Sequence, residues 1–479
     1  MGIGKRLGAV AGRPHLERLQ QRLHHTAERA MERHLNLAVT GLSRSGKTVF
    51  ITALCQHLLH ADQGLSLPFF EVAAEGRLVG CRNLSRNSPN PFPLDACIDA
   101  LSTQPPRWPD STRGLSEVRL AIRYRRPAGL RRLLGEHATL YLNITDYPGE
   151  WLLDLPLLGL SFEQWCQQQR ALFATAPRAP LAADWIEKTR QVDWQAPADK
   201  SLLDSLSLEF SRILQQLRQP PHNLSLLQPG QMAIPDNPPL PSDRALFPLL
   251  TAPTAAGDPA SGSNLHALKE RYNTYLEQQV RPFYQRHFSC FDRQIVLIDC
   301  LQTLNSGQAC FDDMKESLNT ILQSFDYGRS NFIRRLFSPR IDRVLFASTK
   351  ADHVTANQHH NLDRFLELII QDARREMRFE GVETHCLALA SIRSTEAAKT
   401  QLHGQTLSCL RGHRKENNEE IALFPGEIPT ELPGPDDWNE ERFRFIDFAP
   451  HPLPVSNLKP EHHIRLDQAL EFITGDLFK

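Results

Sequence analysis

The sequence predicts an α/β fold built on a doubly wound, mostly parallel sheet with one antiparallel edge strand. Short apolar runs alternate with amphipathic helical segments over residues 291–400, which is typical of parallel strands covered on both faces. Another apolar run, at residues 35–40, leads through a glycine-containing turn into a helical segment at 49–60. With 479 residues, of which 41% are hydrophobic, the chain is long enough for two or three domains with sizeable cores.

Charge and cysteine content narrow the class of protein. Lysine and arginine number 54 against 55 aspartates and glutamates, a balance that argues against a protein whose main task is to coat nucleic acid. No uncharged apolar run approaches the ~20 residues that span a bilayer, and no secretory signal opens the chain. The nine cysteines include no Cys-x-x-Cys pair, which is typical of reduced cysteines packed as small hydrophobic side chains. We therefore expect a cytoplasmic protein that has no nucleic acid as a partner.

The first part of the core is predicted to extend over residues 35–150, after a basic N-terminal helix at 1–34. In that helix, leucines and alanines recur at helical spacing among arginines. Apolar and charged residues then alternate over 115–126, which favours a half-exposed strand at the sheet edge. A second apolar strand, at 140–145, follows closely enough to pair with it as a hairpin.

The middle of the chain, residues 151–290, is predicted to be a large, mostly helical insertion. Its helical segments flank a proline-rich stretch at 229–259 that has no strand pattern. These segments cover residues 161–176, 181–191, 201–218 and 264–288.

The second part of the core, 291–400, contains three predicted strands. Residues 401–479 are expected to form a small C-terminal α+β subdomain that ends in an amphipathic helix.

Residues Gly41–Thr48 form a complete G-x-x-x-x-G-K-[ST] phosphate-binding loop between a predicted strand and a predicted helix. The glycines let the backbone curl so that its N–H groups point at phosphate oxygens, next to the positive end of the helix. Lys47 would contact the β- and γ-phosphates, and the hydroxyl of Thr48 would ligate Mg²⁺. The side chain of Arg44 either contacts phosphate or faces solvent. The predicted nucleotide contacts of this loop are Ser43, Arg44, Ser45, Gly46, Lys47, Thr48 and Val49.

The segment Asp146-Tyr-Pro-Gly149 stands at the end of the predicted strand at 140–145. At such a position a carboxylate can hold Mg²⁺ through water, and a glycine N–H can sense the γ-phosphate. Asp146 is therefore a predicted metal ligand, and Gly149 is a predicted catalytic group.

A third motif, Thr349-Lys350-Ala-Asp352, follows the predicted strand at 343–348 and favours guanine as the base. The carboxylate of Asp352 can accept hydrogen bonds from the N1–H and N2–H₂ groups of guanine, while the stem of Lys350 covers the ring. Adenine presents an acceptor at the equivalent nitrogen and would be repelled, which can reject the wrong ligand strongly. After the next strand, Ala390-Ser391 offers a backbone N–H to the guanine carbonyl. A P-loop ATPase is the alternative, and it requires Asp352 to have no part in reading the base.

In this order, the four motifs resemble the G1, G3, G4 and G5 elements of Ras-like GTPases. Nearly the whole chain further resembles the bacterial YcjX-like family of Ras-like P-loop GTPases. The resemblance implies a Ras-like P-loop NTPase core that binds GTP and GDP with Mg²⁺ and serves in bacterial stress responses. It also implies a switch threonine that ligates Mg²⁺, here Thr112, with Ser111 and Ser116 as nearby alternatives.

One departure from Ras-like enzymes concerns the rate of hydrolysis. Glu150 stands where such enzymes often have the glutamine that orients the attacking water. Its carboxylate can still accept from water, but it adds negative charge beside the γ-phosphate. No arginine is recognisably placed as a finger in cis, so we expect slow intrinsic turnover. Acceleration would come from a partner, from self-assembly, or from an arginine of the helical insertion. The predicted catalytic residues are Lys47, Thr112, Gly149 and Glu150.

The sequence leaves the partner and the output of the switch open. An effector or activator protein is expected, with the helical insertion as its contact. A different hypothesis is a nucleotide-gated scaffold at the inner membrane surface, where the basic residues of 1–34 would make a peripheral contact.

Overall fold

The computed structural model describes residues 33–42, 44–62, 66–110, 114–129, 135–235, 239–251, 260–323, 341–402, 405–439 and 443–479. Ser43 and Thr112 lie outside the described residues, as does most of the predicted N-terminal helix. Its last two residues, Arg33 and His34, are described, and they open the first strand instead of ending a helix.

The core of the protein is a seven-stranded sheet in the order β2-β3-β4-β1-β5-β6-β7. Its strands are β1 (Arg33–Gly41), β2 (Leu78–Asn83), β3 (Ser116–Arg125), β4 (His137–Asp146), β5 (Arg293–Ile298), β6 (Arg343–Ser348) and β7 (Glu383–Ala388). Strands β4, β1, β5, β6 and β7 run parallel, and β3 runs antiparallel to β4. The predicted α/β class with a mostly parallel sheet is therefore confirmed.

Helices cover both faces of this sheet and fill the middle of the chain. The described α-helices are α1 (Lys47–Leu59), α2 (Glu71–Ala74), α3 (Leu94–Ser102), α4 (Phe162–Leu172), α5 (Arg178–Arg190), α6 (Lys200–Arg218), α7 (Gly230–Ala233), α8 (Asn264–Tyr275), α9 (Arg281–Arg286), α10 (Cys300–Asn305), α11 (Gln308–Gln323), α12 (His359–Ile369), α13 (Gln371–Phe379), α14 (Pro435–Asn439) and α15 (Leu466–Thr474). Along β5, Ile295 and Leu297 enter one hydrophobic core, and Val296 and Ile298 enter the other. This alternation explains why the strand reads as a continuous apolar run.

The antiparallel strand β3 does not lie at the edge of the sheet. Its buried and exposed residues alternate as predicted. However, β2 pairs antiparallel with its outer side, with Cys81 opposite Ile122, and forms the edge instead. Alternation of apolar and charged residues along a strand indicates that one of its faces is exposed. It does not indicate whether a further strand pairs beside it.

The helices α4 to α9 between β4 and β5, called the helical part below, pack around aromatic side chains that are continuous with the core on one face of the main sheet. Trp165 stacks on Tyr272, and Trp185 packs against Phe210. A 3-10 helix, Gly149–Gly159, connects this helical part to the end of β4. The helical part is therefore attached directly to the segment that carries the predicted γ-phosphate sensor.

The C-terminal part combines a small sheet with a return to the core. Strands β8 (Thr395–Leu402), β9 (Gln405–His413) and β10 (Glu420–Leu423) form an antiparallel sheet. Helix α15 then packs on the main sheet, and Arg293 of β5 pairs with Asp476 just after it. None of the helices in the described ranges combines the length and apolar character that crossing a membrane requires.

Candidate nucleotide-binding site

The turn between β1 and α1 has the backbone that a phosphate-binding loop needs. Gly46 has φ 80° and Arg44 has φ 62°, so the chain curls through the left-handed region twice. A Cβ on Gly41 would lie 2.5 Å from the carbonyl oxygen of Leu297, which excludes any side chain there. The amine of Lys47, the first residue of α1, donates to the carbonyl of Gly41 at 3.2 Å. The lysine is thus folded back onto its own loop, within reach of any phosphate bound there.

A cavity of about 500 Å³ extends from this loop across the ends of the central strands. Its volume lies in the usual range for small-molecule sites. The predicted catalytic residue Glu150 lies on its wall, together with the predicted nucleotide contacts Arg44, Ser45, Gly46, Lys47, Thr48, Val49, Thr349, Lys350, Asp352, Ala390 and Ser391. The fold therefore brings motifs that are about 300 residues apart in the chain to the two ends of one cavity.

Thr48 and Asp146 provide oxygen atoms that fit Mg²⁺ beside this loop. Asp146 ends β4 and lies in register with Val39 of β1, shortly before the loop begins. Its carboxylate is buried, and Thr48 lies in the first turn of α1 on the cavity wall. Mg²⁺ typically takes one or two protein oxygens and completes its shell with substrate phosphates and water. Accordingly, the described residues hold no cluster of three or more acidic, histidine or cysteine side chains that could bind a metal alone.

The backbone after β4 packs directly on the phosphate-binding loop. A Cβ on Gly149 would lie 2.0 Å from the carbonyl oxygen of Gly41, so only glycine fits at this point. Farther along the same 3-10 helix, the carboxylate of Asp154 accepts from the N–H of Gly230 at 2.9 Å and from the hydroxyl of Tyr275 at 2.6 Å. The segment after Asp146 is thus held between the loop and the helical part.

Glu150 is paired with an arginine from the helical part, which the sequence analysis did not identify. Nε and Nη2 of Arg218 donate to Oε1 of Glu150 at 2.9 and 2.7 Å. Burial raises the pKa of Glu150, but Arg218 and Lys47 together lower it below its usual range, so the carboxylate stays charged. Arg218 lies 68 positions from Glu150 and belongs to no motif, so only the fold reveals it.

Arg44 is fixed by the turn that follows α6. Its guanidinium donates to Oδ1 of Asn223 at 2.8 Å, and the residue also lines the cavity. Burial, and next the repulsion from Arg218, lower the pKa of Arg44. The side chain of Arg44 is exposed and also stands at the phosphate end of the cavity, so neither alternative is excluded and its contact with phosphate stays a prediction.

The opposite end of the cavity holds the motif Thr349–Asp352. One carboxylate oxygen of Asp352 accepts from the N–H and the hydroxyl of Ser394, at 2.7 and 2.5 Å. Lys350 has φ 61°, and its amine bridges the carboxylates of Asp299 and Asp447 at 2.7 Å each. Burial lowers the pKa of Lys350, but the two carboxylates raise it further, above its usual value. Both functional side chains are therefore held in fixed orientations before any base arrives.

Ala390 does not offer the backbone N–H that the sequence analysis expected from Ala390-Ser391. Its N–H donates to the carbonyl of Ile464 at 3.0 Å, and the N–H of Ile464 donates back to the carbonyl of Ala390 at 2.8 Å, which forms an antiparallel bridge. Ser391, which also lines the cavity, is the member of the pair that can supply a backbone donor to a base.

The C-terminal part completes the wall of the cavity near the base end. Asp447 and Phe448 line it together with Trp108, and the indole N–H of Trp108 donates to the carbonyl of Phe448 at 3.1 Å. Trp108 stands shortly before the predicted switch threonine. The base end of the site and the chain that leads into this switch segment are therefore in direct contact.

A phosphate-binding loop after the first strand and a base-reading motif after β6 open on one cavity, and an Asp-x-x-Gly segment after β4 packs on that loop. This combination defines a P-loop protein of the Ras-like class. Residues 35–478 match the YcjX-like family, DUF463, and the chain belongs to this family.

Two curated relatives share almost the full length of the chain. "Ras-like GTPase YcjX" of Escherichia coli (strain K12) is 41% identical over 468 residues, which cover 96% of this chain and 99% of that protein. "Ras-like GTPase YcjX" of Shewanella oneidensis (strain MR-1) is 39% identical over 483 aligned positions, which cover 96% and 98% respectively. The names of both relatives support the Ras-like GTPase class.

Proposed function

We propose that this protein is a Mg²⁺-dependent switch that binds and hydrolyses GTP in the bacterial cytoplasm as part of a stress response. The observation that carries the proposal is the single cavity that joins Lys47 and Thr48 to Asp352 and Ser391. The names of the two relatives support the same activity. An effector would read the switch through the helical part, and the basic residues of 1–34 are where a peripheral contact with the inner membrane would be made.

The residues at the phosphate end divide the work of hydrolysis. When nucleotide binds, the amine of Lys47 gives up its hydrogen bond to the carbonyl of Gly41 and donates to the β- and γ-phosphates instead. The N–H groups of the loop hold the remaining phosphate oxygens. Thr48, Asp146 and Thr112 would hold Mg²⁺, which neutralises phosphate charge when bound. Glu150 accepts a hydrogen bond from the attacking water. The water oxygen bonds to the γ-phosphorus, the bond to the bridging oxygen breaks, and GDP and phosphate result.

Titration calorimetry with GDP, GTPγS, ADP and ATP in the presence of Mg²⁺ tests the proposal. We expect the guanine nucleotides to bind at least ~100-fold more tightly, because adenine would set an acceptor against the carboxylate of Asp352. ATP binding as tight as that of GTPγS would instead support the ATPase alternative and exclude the assigned role of Asp352.

Intrinsic turnover is predicted to be slow, on the order of 10⁻² s⁻¹ or below, as in unassisted Ras-like enzymes. In the structure, the charge of Arg218 is neutralised by Glu150, and Glu150 itself opposes negative charge at the γ-phosphate. A single-turnover assay on purified protein measures this rate. A value above ~1 s⁻¹ would mean that the catalytic groups are already in their working arrangement in the isolated protein.

Hydrogen exchange is predicted to separate the GDP and GTP states in two segments, residues 108–116 and 146–156. Thr112 and Gly149 are the proposed sensors of the γ-phosphate, so both segments should be more protected with a non-hydrolysable GTP analogue. The helical part should respond as well, because Asp154 of the second segment is bonded to Gly230 and Tyr275. Strand β7 serves as an internal control. Equal protection of both segments in the two states would exclude a switch.

A further inference from the structure

We propose that Arg218 is a catalytic residue of this site, an arginine finger that the helical part supplies within the same chain and that Glu150 holds back until hydrolysis. This inference rests on the proposed GTPase function and deepens it. It assigns the guanidinium two partners in turn, first the Glu150 carboxylate and then the γ-phosphate.

Arg218 is positioned at the phosphate end of the cavity. It is the last residue of α6, and its side chain lines the cavity together with Arg44, Lys47 and Glu150. The side chain of Glu150 is only 6% exposed, whereas that of Arg218 is 19% exposed and so keeps contact with the open space of the cavity. A swing of the side chain alone therefore changes its partner.

The backbone that carries Arg218 is firmly anchored to the core. Asn223, in the turn after α6, accepts from Arg44 of the phosphate-binding loop and donates to Ser306 at 3.0 Å. Just beyond it, the N–H groups of Ser225 and Leu226 donate to a carboxylate oxygen of Asp313 in α11, at 2.5 and 3.0 Å. This rigid support is what a catalytic side chain needs, because its geometry must be fixed relative to the phosphates.

Charge determines which partner the guanidinium prefers. Glu150 carries one negative charge and already interacts with Lys47, while Arg44 repels Arg218 from the same side. A γ-phosphate carries more charge than a carboxylate and presents several oxygens to the planar guanidinium, which can bind two of them at once. A bound triphosphate therefore competes for Arg218, while the existing pair with Glu150 limits this exchange and keeps intrinsic turnover slow. The same exchange releases Glu150, whose carboxylate can then orient the attacking water.

A purely structural role for the ion pair is the alternative that the experiment must exclude. A buried ion pair contributes little net stability in general, and other contacts already hold the helical part on the core. Among these are the hydrogen bonds of Asp154 to Gly230 and Tyr275, and the buried pair of Arg178 with Asp313. The pair of Glu150 and Arg218 is thus not needed for docking.

The test compares Glu150→Gln with the double variant Glu150→Gln/Arg218→Ala in single-turnover GTP hydrolysis. Glu150→Gln frees the arginine and is expected to raise the rate ~10-fold or more over wild type. Adding Arg218→Ala should lower that rate by ~100-fold or more, since a finger is worth roughly 10³–10⁵ in rate. The double variant removes both charges of the pair together, so it leaves no unpaired carboxylate that would endanger the fold.

A binding experiment provides a second readout that does not depend on turnover. With Mg²⁺, GDP and aluminium fluoride, which imitate the phosphoryl group in transfer, the double variant should bind ~10-fold or more weakly than Glu150→Gln. Binding of GDP alone should be equal in the two, because Arg218 acts at the γ position. Arg212→Ala, an exposed arginine on the same helix, is the matched control and should match wild type in both assays.

Two results would overturn the inference for different reasons. If Glu150→Gln and the double variant hydrolyse GTP and bind the aluminium fluoride complex equally, the role of Arg218 is structural while the proposed function stands. If the wild-type protein binds no guanine nucleotide, the proposed function itself fails, and the role of Arg218 fails with it.

Discussion

Replacing Lys47 with alanine is expected to weaken GTP and GDP binding by ~100-fold or more and to leave the fold intact. Each charge-assisted hydrogen bond to phosphate contributes ~1.5–3 kcal/mol, and the lysine would lose contacts to two phosphates. The folded protein loses little in exchange, because among the described residues the amine donates one hydrogen bond, to the carbonyl of Gly41 at 3.2 Å. Calorimetric titration measures the affinity, and thermal unfolding without nucleotide measures the stability.

Lys188→Ala is the matched control for this variant. Lys188 lies on α5 with its side chain 57% exposed, and it pairs with Glu209. It should therefore bind nucleotide as the wild type does. Unchanged GTP affinity in Lys47→Ala would show that the loop at Gly41–Thr48 does not bind phosphate, and the proposed function would fall with it.

The motifs of this site were accessible from the sequence because each is local. Each motif, Gly41–Thr48, Asp146–Gly149 or Thr349–Asp352, is at most eight residues long and directly follows a predicted strand. Parallel strands end at one edge of a sheet, so three such motifs converge once the strand order is known. The same reasoning predicted the fold class, since alternating strands and helices permit few other arrangements.

The parts of the site that the sequence did not predict are those that depend on contacts between distant segments. Arg218 reaches Glu150 from 68 positions away, and Asp447 reaches Lys350 from 97. Neither stands in a recognisable motif, because any cation or carboxylate at the end of a helix or loop is unremarkable in a sequence. The hydrogen bond from the N–H of Ala390 to the carbonyl of Ile464 could not be predicted from the sequence for the same reason. Such pairings are decided by tertiary packing, which local patterns do not encode.

Some of these distant pairings join the segment that follows Gly149 to the helical part. Glu150 and Asp154 lie on the 3-10 helix that begins with the predicted γ-phosphate sensor Gly149, and they bond to Arg218 and to Gly230 respectively. In the proposed switch, a change of Gly149 on nucleotide exchange would be transmitted to the helical part without an intervening loop. Coupling through packed, hydrogen-bonded elements of this kind is what a two-state switch requires.

Replacing Asp352 with asparagine is expected to change the base preference from guanine to xanthine. The N–H of Ser394 donates to one carboxylate oxygen at 2.7 Å, and this donor is fixed in the backbone. An asparagine must therefore turn its own oxygen toward Ser394, which directs its NH₂ group at the base. That group repels the N2–H₂ of guanine and donates to the carbonyl that xanthine has in its place. GDP affinity should fall ~10–100-fold, from ~1.5–3 kcal/mol per lost charge-assisted hydrogen bond.

Xanthosine diphosphate binding should rise by ~10-fold or more in the same variant, measured by calorimetry against GDP, because a repulsive contact becomes an attractive one. Asp372→Asn is the matched control, since that aspartate lies on α13 with its side chain 81% exposed and should leave both affinities unchanged. A further variant, Ser394→Ala, removes the hydroxyl bonds to Asp352 and to the ring of His353 and keeps the backbone donor. It should weaken GDP binding while leaving guanine preferred over xanthine. A loss of GDP affinity in Asp352→Asn without any gain for xanthosine diphosphate would mean that Asp352 supports the pocket wall through Ser394 and does not read the base.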